Sequence, residues 1–111
     1  MAYDVVIVSK EMGKGEESLT QTLMLGFIHT IAERDEKPKN IIFYGEGVEL
    51  TCKGSEALDD LKALDAAGVK ILSCGICLNF LELDKKLEVG GVTTMGEVVD
   101  ILAASDHIIK P

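Results

Sequence analysis

Short apolar runs that alternate with helical patterns constrain the fold of this chain more than any other feature. The runs are rich in Val and Ile and lie at 4–9 ("DVVIVS"), 40–45 ("NIIFYG"), 69–73 ("VKILS") and 106–110 ("DHIIK"), with a weaker "GVTT" at 91–94. Continuous apolar runs are typical of strands in a parallel sheet that is covered on both faces. Strands with one solvent-exposed face instead alternate apolar and polar residues. The sequence therefore predicts a mainly parallel sheet of five strands.

Helical patterns occupy the intervals between the runs. The clearest helix covers 55–68, with Ser55 as its N-cap and Gly68 at the left-handed position after its end. A short helix is predicted over "CLNFLELDKKL" (77–87), and a last helix begins with a capping box at 94–97. The residues of this last helix that are predicted to face inward are Met95, Val98, Val99 and Leu102.

The first predicted helix begins at Ser18 and ends before Pro38, and it is unusually apolar. Its large apolar residues are Leu23, Met24, Leu25, Phe27, Ile28 and Ile31. They cover more than the single stripe that a helix packed on one sheet needs. We therefore predict that a second subunit covers part of this helix.

The order of elements is βαβαβαβαβ, which indicates one α/β domain spanning 1–111. Such alternation predicts right-handed crossovers and three layers, α/β/α, flavodoxin-like in general plan. A chain of 111 residues has room for one core and little more. Ligand sites in sheets of this kind lie outside the carboxyl ends of the strands.

Charge and composition exclude several classes of protein. The net charge is −8 and the basic residues are scattered among acids, so no basic patch is expected and nucleic acid is an unlikely ligand. The first residues carry no basic segment, and the apolar run "VVIV" is far too short for a signal peptide or a membrane span. Three cysteines, an odd number, indicate reduced thiols and a cytoplasmic protein.

Two of the cysteines, Cys74 and Cys77, lie in "SCGICL" at 73–78, directly after the third run. This places Cys74 in the turn before a helix and Cys77 in its first turn, where backbone N–H groups and the helix dipole lower the pKa of a thiol. Cysteines there can act as nucleophiles, although free cysteine also often serves only to fill space in a core.

Three chemical roles for this pair remain open from the residues alone. A thioredoxin-like dithiol fits the C-x-x-C spacing, but no Pro separates the cysteines and the chain has no Trp. Structural zinc needs four ligands, and no second C-x-x-C is present, so Cys52, His29 and His107 would complete a site only by chance; we predict no metal. A carrier of sulfur is the third role.

The loop after the second run, "YGEGVELTCKGSE" (44–56), is predicted to lie beside the dicysteine turn. Gly45, Gly47 and Gly54 of this loop permit close approach of the backbone, and Cys52 can face the same pocket. Gly75, within the dicysteine turn, is predicted to line that pocket as well. The other glycine-rich loop, "SKEMGKGEES" (9–18), lacks the spacing of a phosphate-binding loop and carries acids at its helical end.

The chain resembles the DsrE/DsrF-like family over nearly its whole length, most closely the C-terminal domain of YedF-type proteins. The most specific segments are "GVELTCKGSEALDDLKALDAAGVKILSCGICL" and "VGGVTTMGE". The resemblance implies a DsrE-like domain that forms homotrimers or hexamers, needs no cofactor and takes part in sulfur or selenium metabolism. It implies that Cys74 carries a persulfide and that Cys77 is the second cysteine of the YedF-like "CG-x-C" pattern.

The main hypothesis is thus a sulfur or selenium relay in which a persulfide passes between partner proteins. YedF-type chains begin with a TusA-like domain, which is lacking here, so a separate TusA-like carrier is the expected partner. The alternatives are a non-catalytic oligomeric interaction subunit, in which the cysteines only pack, and a C-x-x-C redox protein that acts on other disulfides.

Overall fold

The computed structural model describes residues 2–111, and its centre is a sheet of five strands. The strands are β1 (Asp4–Ile7), β2 (Asn40–Phe43), β3 (Lys70–Cys74), β4 (Gly91–Thr93) and β5 (Ile108–Ile109). Their spatial order is β4-β3-β2-β1-β5, and every neighbouring pair is parallel. The predicted α/β fold with a five-stranded, mainly parallel sheet is confirmed.

Four α-helices and one 3₁₀ segment connect the strands. They are α1 (Glu17–Glu33), the 3₁₀ segment (Gly45–Thr51), α2 (Leu58–Ala66), α3 (Gly75–Phe80) and α4 (Met95–Ala104). None of the helices within 2–111 is long and apolar enough to cross a bilayer.

The strand order explains how the helices divide between the two faces of the sheet. The chain moves in one direction from β1 to β4, and right-handed crossovers then place the helices on one face, whereas the return to β5 places α4 on the other. Ile41 and Phe43 of β2 accordingly belong to the core cluster that contains Met24 of α1 and Leu61 of α2. Ile42, which points the other way, packs with Val98 of α4.

This order differs from the 2-1-3-4-5 order of flavodoxin. The reversal lies between β1 and β5, because β5 joins the sheet on the far side of β1. Cys74 ends β3, two strands away from the reversal. The sequence indicates parallel strands but not which of them are neighbours.

The ends of the helices agree in part with the sequence. Gly68 adopts the predicted left-handed conformation, with φ of 99°. Ser55 is not the immediate N-cap of α2, because its hydroxyl accepts the Ala57 N–H in the turn before the helix. Thr94 caps α4 by accepting the Glu97 N–H at 3.2 Å, but the Glu97 carboxylate accepts the Thr93 hydroxyl rather than closing the capping box.

Helix α3 is much shorter than predicted, since it ends at Phe80. Glu82 takes a left-handed conformation with φ of 58°, and the Leu83 N–H donates to the Leu78 carbonyl. This is the geometry in which glycine usually ends a helix. The sequence has no glycine there, and the stop was therefore missed.

The excess of apolar residues on α1 is partly used within the chain. Leu25 and Phe27 pack against the core at its margin, beside the buried Met24 and Ile28. Leu23 remains exposed, as does Leu19 one turn earlier. The predicted subunit contact stays a prediction, with these two leucines as its remaining basis.

The inward face of α4 is rotated from the predicted one. Val98 is 3% exposed, but Val99 is 57% and Met95 is 50% exposed. Ile101 and Leu102 pack beside Val98, so the buried face of α4 is centred on Val98. Met95 and Val99 lie outside this face. The prediction that Met95 and Val99 point inward is wrong.

Two neighbouring valines test this rotation. We expect Val98→Ala to lower the free energy of unfolding by about 2 kcal/mol, because it removes buried methyl groups and leaves a cavity. The matched variant Val99→Ala should change it by less than about 0.5 kcal/mol. Urea denaturation of both variants measures the difference, and equal losses would contradict the assigned face.

Candidate functional site

Cys74 lies at the junction where β3, the strand next to the β4 edge of the sheet, becomes α3. It is the last residue of the strand and the N-cap of the helix, with no loop between them. Its side chain belongs to the main core, and the residue is 2% exposed. Gly75 permits this tight turn, because a Cβ there would lie 3.0 Å from Val92 Cγ1 of the neighbouring strand.

Cys77 lies in the first turn of α3 and is partly exposed. Its Sγ accepts a hydrogen bond from the Gly45 N–H, at a nitrogen-to-sulfur distance of 3.1 Å. Gly45 opens the 3₁₀ segment in the left-handed region, with φ of 59°, and a Cβ there would lie 3.1 Å from the Val8 carbonyl oxygen. The loop that follows β2 thus supplies the polar partner of this thiol.

The 3₁₀ segment is fixed near both ends. Gly47 lies so close to β1 that an added Cβ would be 2.5 Å from the Ile7 carbonyl oxygen. At the other end, the Thr51 and Ser73 hydroxyls lie 2.8 Å apart, and both residues are fully buried. Since Thr51 donates to the Val48 carbonyl, Ser73 is the donor to Thr51. The segment therefore holds a set position against β3, one residue before Cys74.

Burial raises the pKa of the Cys77 thiol above its ordinary value. The Gly45 N–H acts in the opposite direction, while the adjacent Cys74 thiol raises the pKa further. The predicted lowering of the pKa by a helix start is therefore wrong for Cys77. Removal of the sulfur from water is the largest effect on the Cys77 pKa, and it outweighs the single N–H donor.

Cys52 directly follows the 3₁₀ segment and is buried. Its thiol donates to the Val48 carbonyl at 3.2 Å, and burial raises its pKa. It lines a pocket of about 500 Å³ between α1 and the end of the 3₁₀ segment. The residues that line this pocket do not include Cys74 or Cys77.

The structure thus brings together four of the six residues singled out from the sequence. Gly45 contacts Cys77, and Gly75 follows Cys74 at the turn. Gly47 instead packs on the end of β1. The Thr51–Ser73 pair was not foreseen, because its two members are 22 positions apart and neither carries a motif.

Exposed apolar side chains on α3 and β4, the elements next to the dithiol, are another feature that the sequence did not reveal. Ile76 is 69% exposed and Phe80 is 84% exposed, one turn apart on the outer side of α3. Val92 of β4 is also exposed and lies against Gly75. A protein that reaches Cys77 would contact these side chains.

Metal ligands do not cluster in the part of the chain that the structure describes. No group of three His, Cys, Asp or Glu side chains within 2–111 is placed to hold an ion. His29 lies on the surface between α1 and α2, where it bonds Asp60 at 3.1 Å and lies 3.6 Å from Glu33. Hydrogen bonding to Asp60 raises its pKa.

The chain is similar to known proteins in both sequence and structure. The sequence profile of the DsrE/DsrF-like family matches residues 5–111. A search of curated protein sequences gives no match.

Several solved structures share the fold at low sequence identity. The ychN protein from E. coli is 14% identical, with full coverage of both chains and a TM-score of 0.75. MTH1491 from Methanobacterium thermoautotrophicum, a protein of unknown function, is 21% identical, with full coverage of both chains and a TM-score of 0.70. BT1422 from Bacteroides thetaiotaomicron, a conserved protein of unknown function, is 15% identical, with a TM-score of 0.63. The match covers 97% of the present chain and 94% of the BT1422 chain.

The buried hydroxyl pair can be tested by Thr51→Val. This change keeps the side-chain shape but leaves the Ser73 hydroxyl without its acceptor, so the free energy of unfolding should fall by about 1–3 kcal/mol. Thr51→Ser, which keeps the hydroxyl, should lose less. Adding Ser73→Ala to Thr51→Val should recover part of the loss in chemical denaturation, and a purely additive double variant would show that the two hydroxyls do not interact.

Alkylation of the native protein should distinguish the three thiols. Iodoacetamide should react first at Cys77, since Cys52 and Cys74 are buried. Because only the thiolate reacts and the Cys77 pKa is raised, its rate should be low at neutral pH and still increase with pH where an ordinary thiol, with a pKa of about 8.5, has levelled off. Peptide mapping by mass spectrometry measures each rate, and a plateau near neutral pH would contradict the raised pKa.

Proposed function

The chain belongs to the DsrE/DsrF-like family, and we propose that it is a sulfur relay protein carrying a persulfide on Cys74 and Cys77. The observation that supports this most directly is the pairing of two free thiols at the carboxyl end of β3, one of them bonded to a backbone N–H. A carrier needs a thiol that the sulfur-donating protein can reach. It also needs a nearby hydrogen-bond donor that stabilises the sulfur anion. Cys77 and Gly45 provide these two elements.

The chemistry needs no cofactor. A thiolate of the dithiol attacks the outer sulfur of a donor persulfide, a new S–S bond forms, and the donor leaves as its own thiolate. No electrons are gained or lost overall, because one persulfide replaces another. Selenium can be carried in the same way, and the proposal includes it as an alternative cargo.

The proposed partner is a separate TusA-like carrier protein that docks on the apolar side chains around the dithiol. Exposed Ile76, Phe80 and Val92 offer it a surface beside Cys77. Such a relay requires reduced thiols, which favours the cytoplasm. Leu19 and Leu23, exposed on α1, support a homo-oligomer, for which we propose a trimer or hexamer.

Two other functions lead to different results in the same experiments. The proximity of Cys74 and Cys77, which influences the pKa of Cys77, also suits a redox dithiol. That function requires a stable disulfide with a defined reduction potential. The burial of Cys74 suits a non-catalytic interaction subunit, in which replacing either cysteine would leave partner binding unchanged.

Mass spectrometry after incubation with a persulfide donor tests the relay. We expect the mass of one sulfur atom to be added to the peptide that holds Cys74 and Cys77, and to be removed by a thiol acceptor. The peptide with buried Cys52 reports unspecific modification in the same sample. The double variant Cys74→Ser/Cys77→Ser should lose the adduct; a wild-type protein that gains no sulfur from inorganic polysulfide or from a protein persulfide would refute the proposal.

A further inference from the structure

We infer that the two thiols act in a fixed order, with Cys77 receiving sulfur from the donor and Cys74 storing it in the core. The Gly45 N–H stabilises the sulfur anion on Cys77 during this transfer. The inference rests on the proposed relay function and assigns the two steps of that relay to different cysteines. It differs from an arrangement in which Cys74 takes sulfur directly from the partner and Cys77 only assists.

Access decides which thiol meets the donor. Transfer of sulfane sulfur requires a thiolate to reach the outer sulfur of another molecule's persulfide. Cys74 is 2% exposed and lies within the main core, whereas Cys77 is partly open to solvent at the edge of that core. A partner protein can therefore reach Cys77 without any rearrangement, but it cannot reach Cys74.

The contact with Gly45 provides Cys77 with a specific partner for negative charge. Only the Cys77 sulfur accepts a hydrogen bond from a backbone N–H, at 3.1 Å, among the three cysteines of the described chain. Hydrogen bonds to a charged acceptor are stronger than those to a neutral one, so the bond strengthens when Cys77 becomes a thiolate, both as the attacking group of the first step and as the leaving group of the second.

The direction of this N–H is imposed by the backbone. Gly45 is held with φ of 59°, and a side chain at this position would press on the Val8 carbonyl. The far end of the 3₁₀ segment is tied to β3 by the Thr51–Ser73 hydroxyl pair. The Gly45 N–H is therefore held in place before sulfur arrives, and formation of the Cys77 anion requires no rearrangement of the backbone.

Both transfer steps balance without an oxidant or a reductant. Cys77 releases its proton to solvent, its thiolate attacks the outer sulfur of the donor persulfide, and the donor departs as a thiolate. The Cys74 thiolate then attacks the outer sulfur on Cys77, so a new S–S bond forms on Cys74 and the bond to Cys77 breaks. Cys77 is regenerated as the thiolate and takes up a proton.

The closeness of the two thiols supports the second step. Cys74 is the N-cap of α3 and Cys77 lies three residues later in its first turn. Residues three apart on a helix are neighbours on its surface, so the two thiols lie on the same side of the turn. After transfer, the persulfide lies in the core, where solvent oxidants and competing thiols have little access. The pair thus separates reception at the surface from storage inside.

Single-cysteine variants of the full chain test the order of the steps. With a protein persulfide as the donor, we expect Cys77→Ser to slow loading of Cys74 by about tenfold or more, since the accessible thiol is lost. Cys74→Ser should load at the wild-type rate and retain the sulfur on Cys77. In the wild type, peptide mapping at early times should find sulfur on Cys77, and later on Cys74.

Two glycine variants test the role of the backbone donor. Gly45→Ala should slow loading of Cys77 by about tenfold, because the left-handed residue and the contact with Val8 force the N–H away from the sulfur. Gly54→Ala is the matched control, since Gly54 also has a positive φ, 91°, but has open space around it. It should cost similar backbone strain and leave the loading rate within about twofold.

The outcomes separate this inference from the proposed function. Loading of Cys74 at the wild-type rate in Cys77→Ser would overturn the order of the two cysteines. Equal rates in Gly45→Ala and Gly54→Ala would overturn the role of the Gly45 N–H, and in both cases the relay itself would stand. Rapid release of sulfide with a Cys74–Cys77 disulfide would overturn storage on Cys74. If neither Cys74 nor Cys77 of the wild type gains sulfur, the relay itself is refuted. Circular dichroism of each variant confirms that it is folded.

Discussion

The parallel register between β2 and β3 is the constraint on which the site depends. Phe43 pairs with Ser73, so the two strands leave the sheet at the same level. Gly45 follows two residues after Phe43, and Cys77 four residues after Ser73, which brings the loop nitrogen to the helical sulfur. A shift of one residue in this pairing would turn the β3 side chains to the opposite face and separate the two atoms.

The 3₁₀ segment converts this register into a rigid site. It passes the carboxyl end of β1 at Gly47 and meets β3 through Thr51 and Ser73. Its first N–H is thereby directed at Cys77 by contacts with two strands rather than by the short helix α3. This explains how a helix of six residues can hold a C-x-x-C pair in a defined geometry.

Burial affects the two paired thiols in different ways. It raises the pKa of Cys77 and so lowers the fraction of this thiol that is thiolate at neutral pH. It also removes Cys74 from direct contact with solvent. A carrier that receives sulfur only from a docked partner is compatible with both properties, because docking brings the persulfide to the partly exposed Cys77.

The sequence by itself determined the class of fold and the location of the cysteines within it. Continuous apolar runs can be satisfied only by strands covered on both faces, and the C-x-x-C pair directly follows one such run, so its position at a strand end could be predicted. The left-handed Gly68 was also predictable, since glycine tolerates that conformation. These features depend on neighbours close in the chain.

Tertiary structure decided the features that depend on distant neighbours. The strand order, the Thr51–Ser73 pair and the contact of Gly45 with Cys77 join residues 19 or more positions apart, and no local pattern encodes them. The pKa of Cys77 likewise depends on how much water the folded chain excludes, which reversed the direction expected from a helix start. The sequence supplied the two thiols, and packing determined which of them a partner can reach.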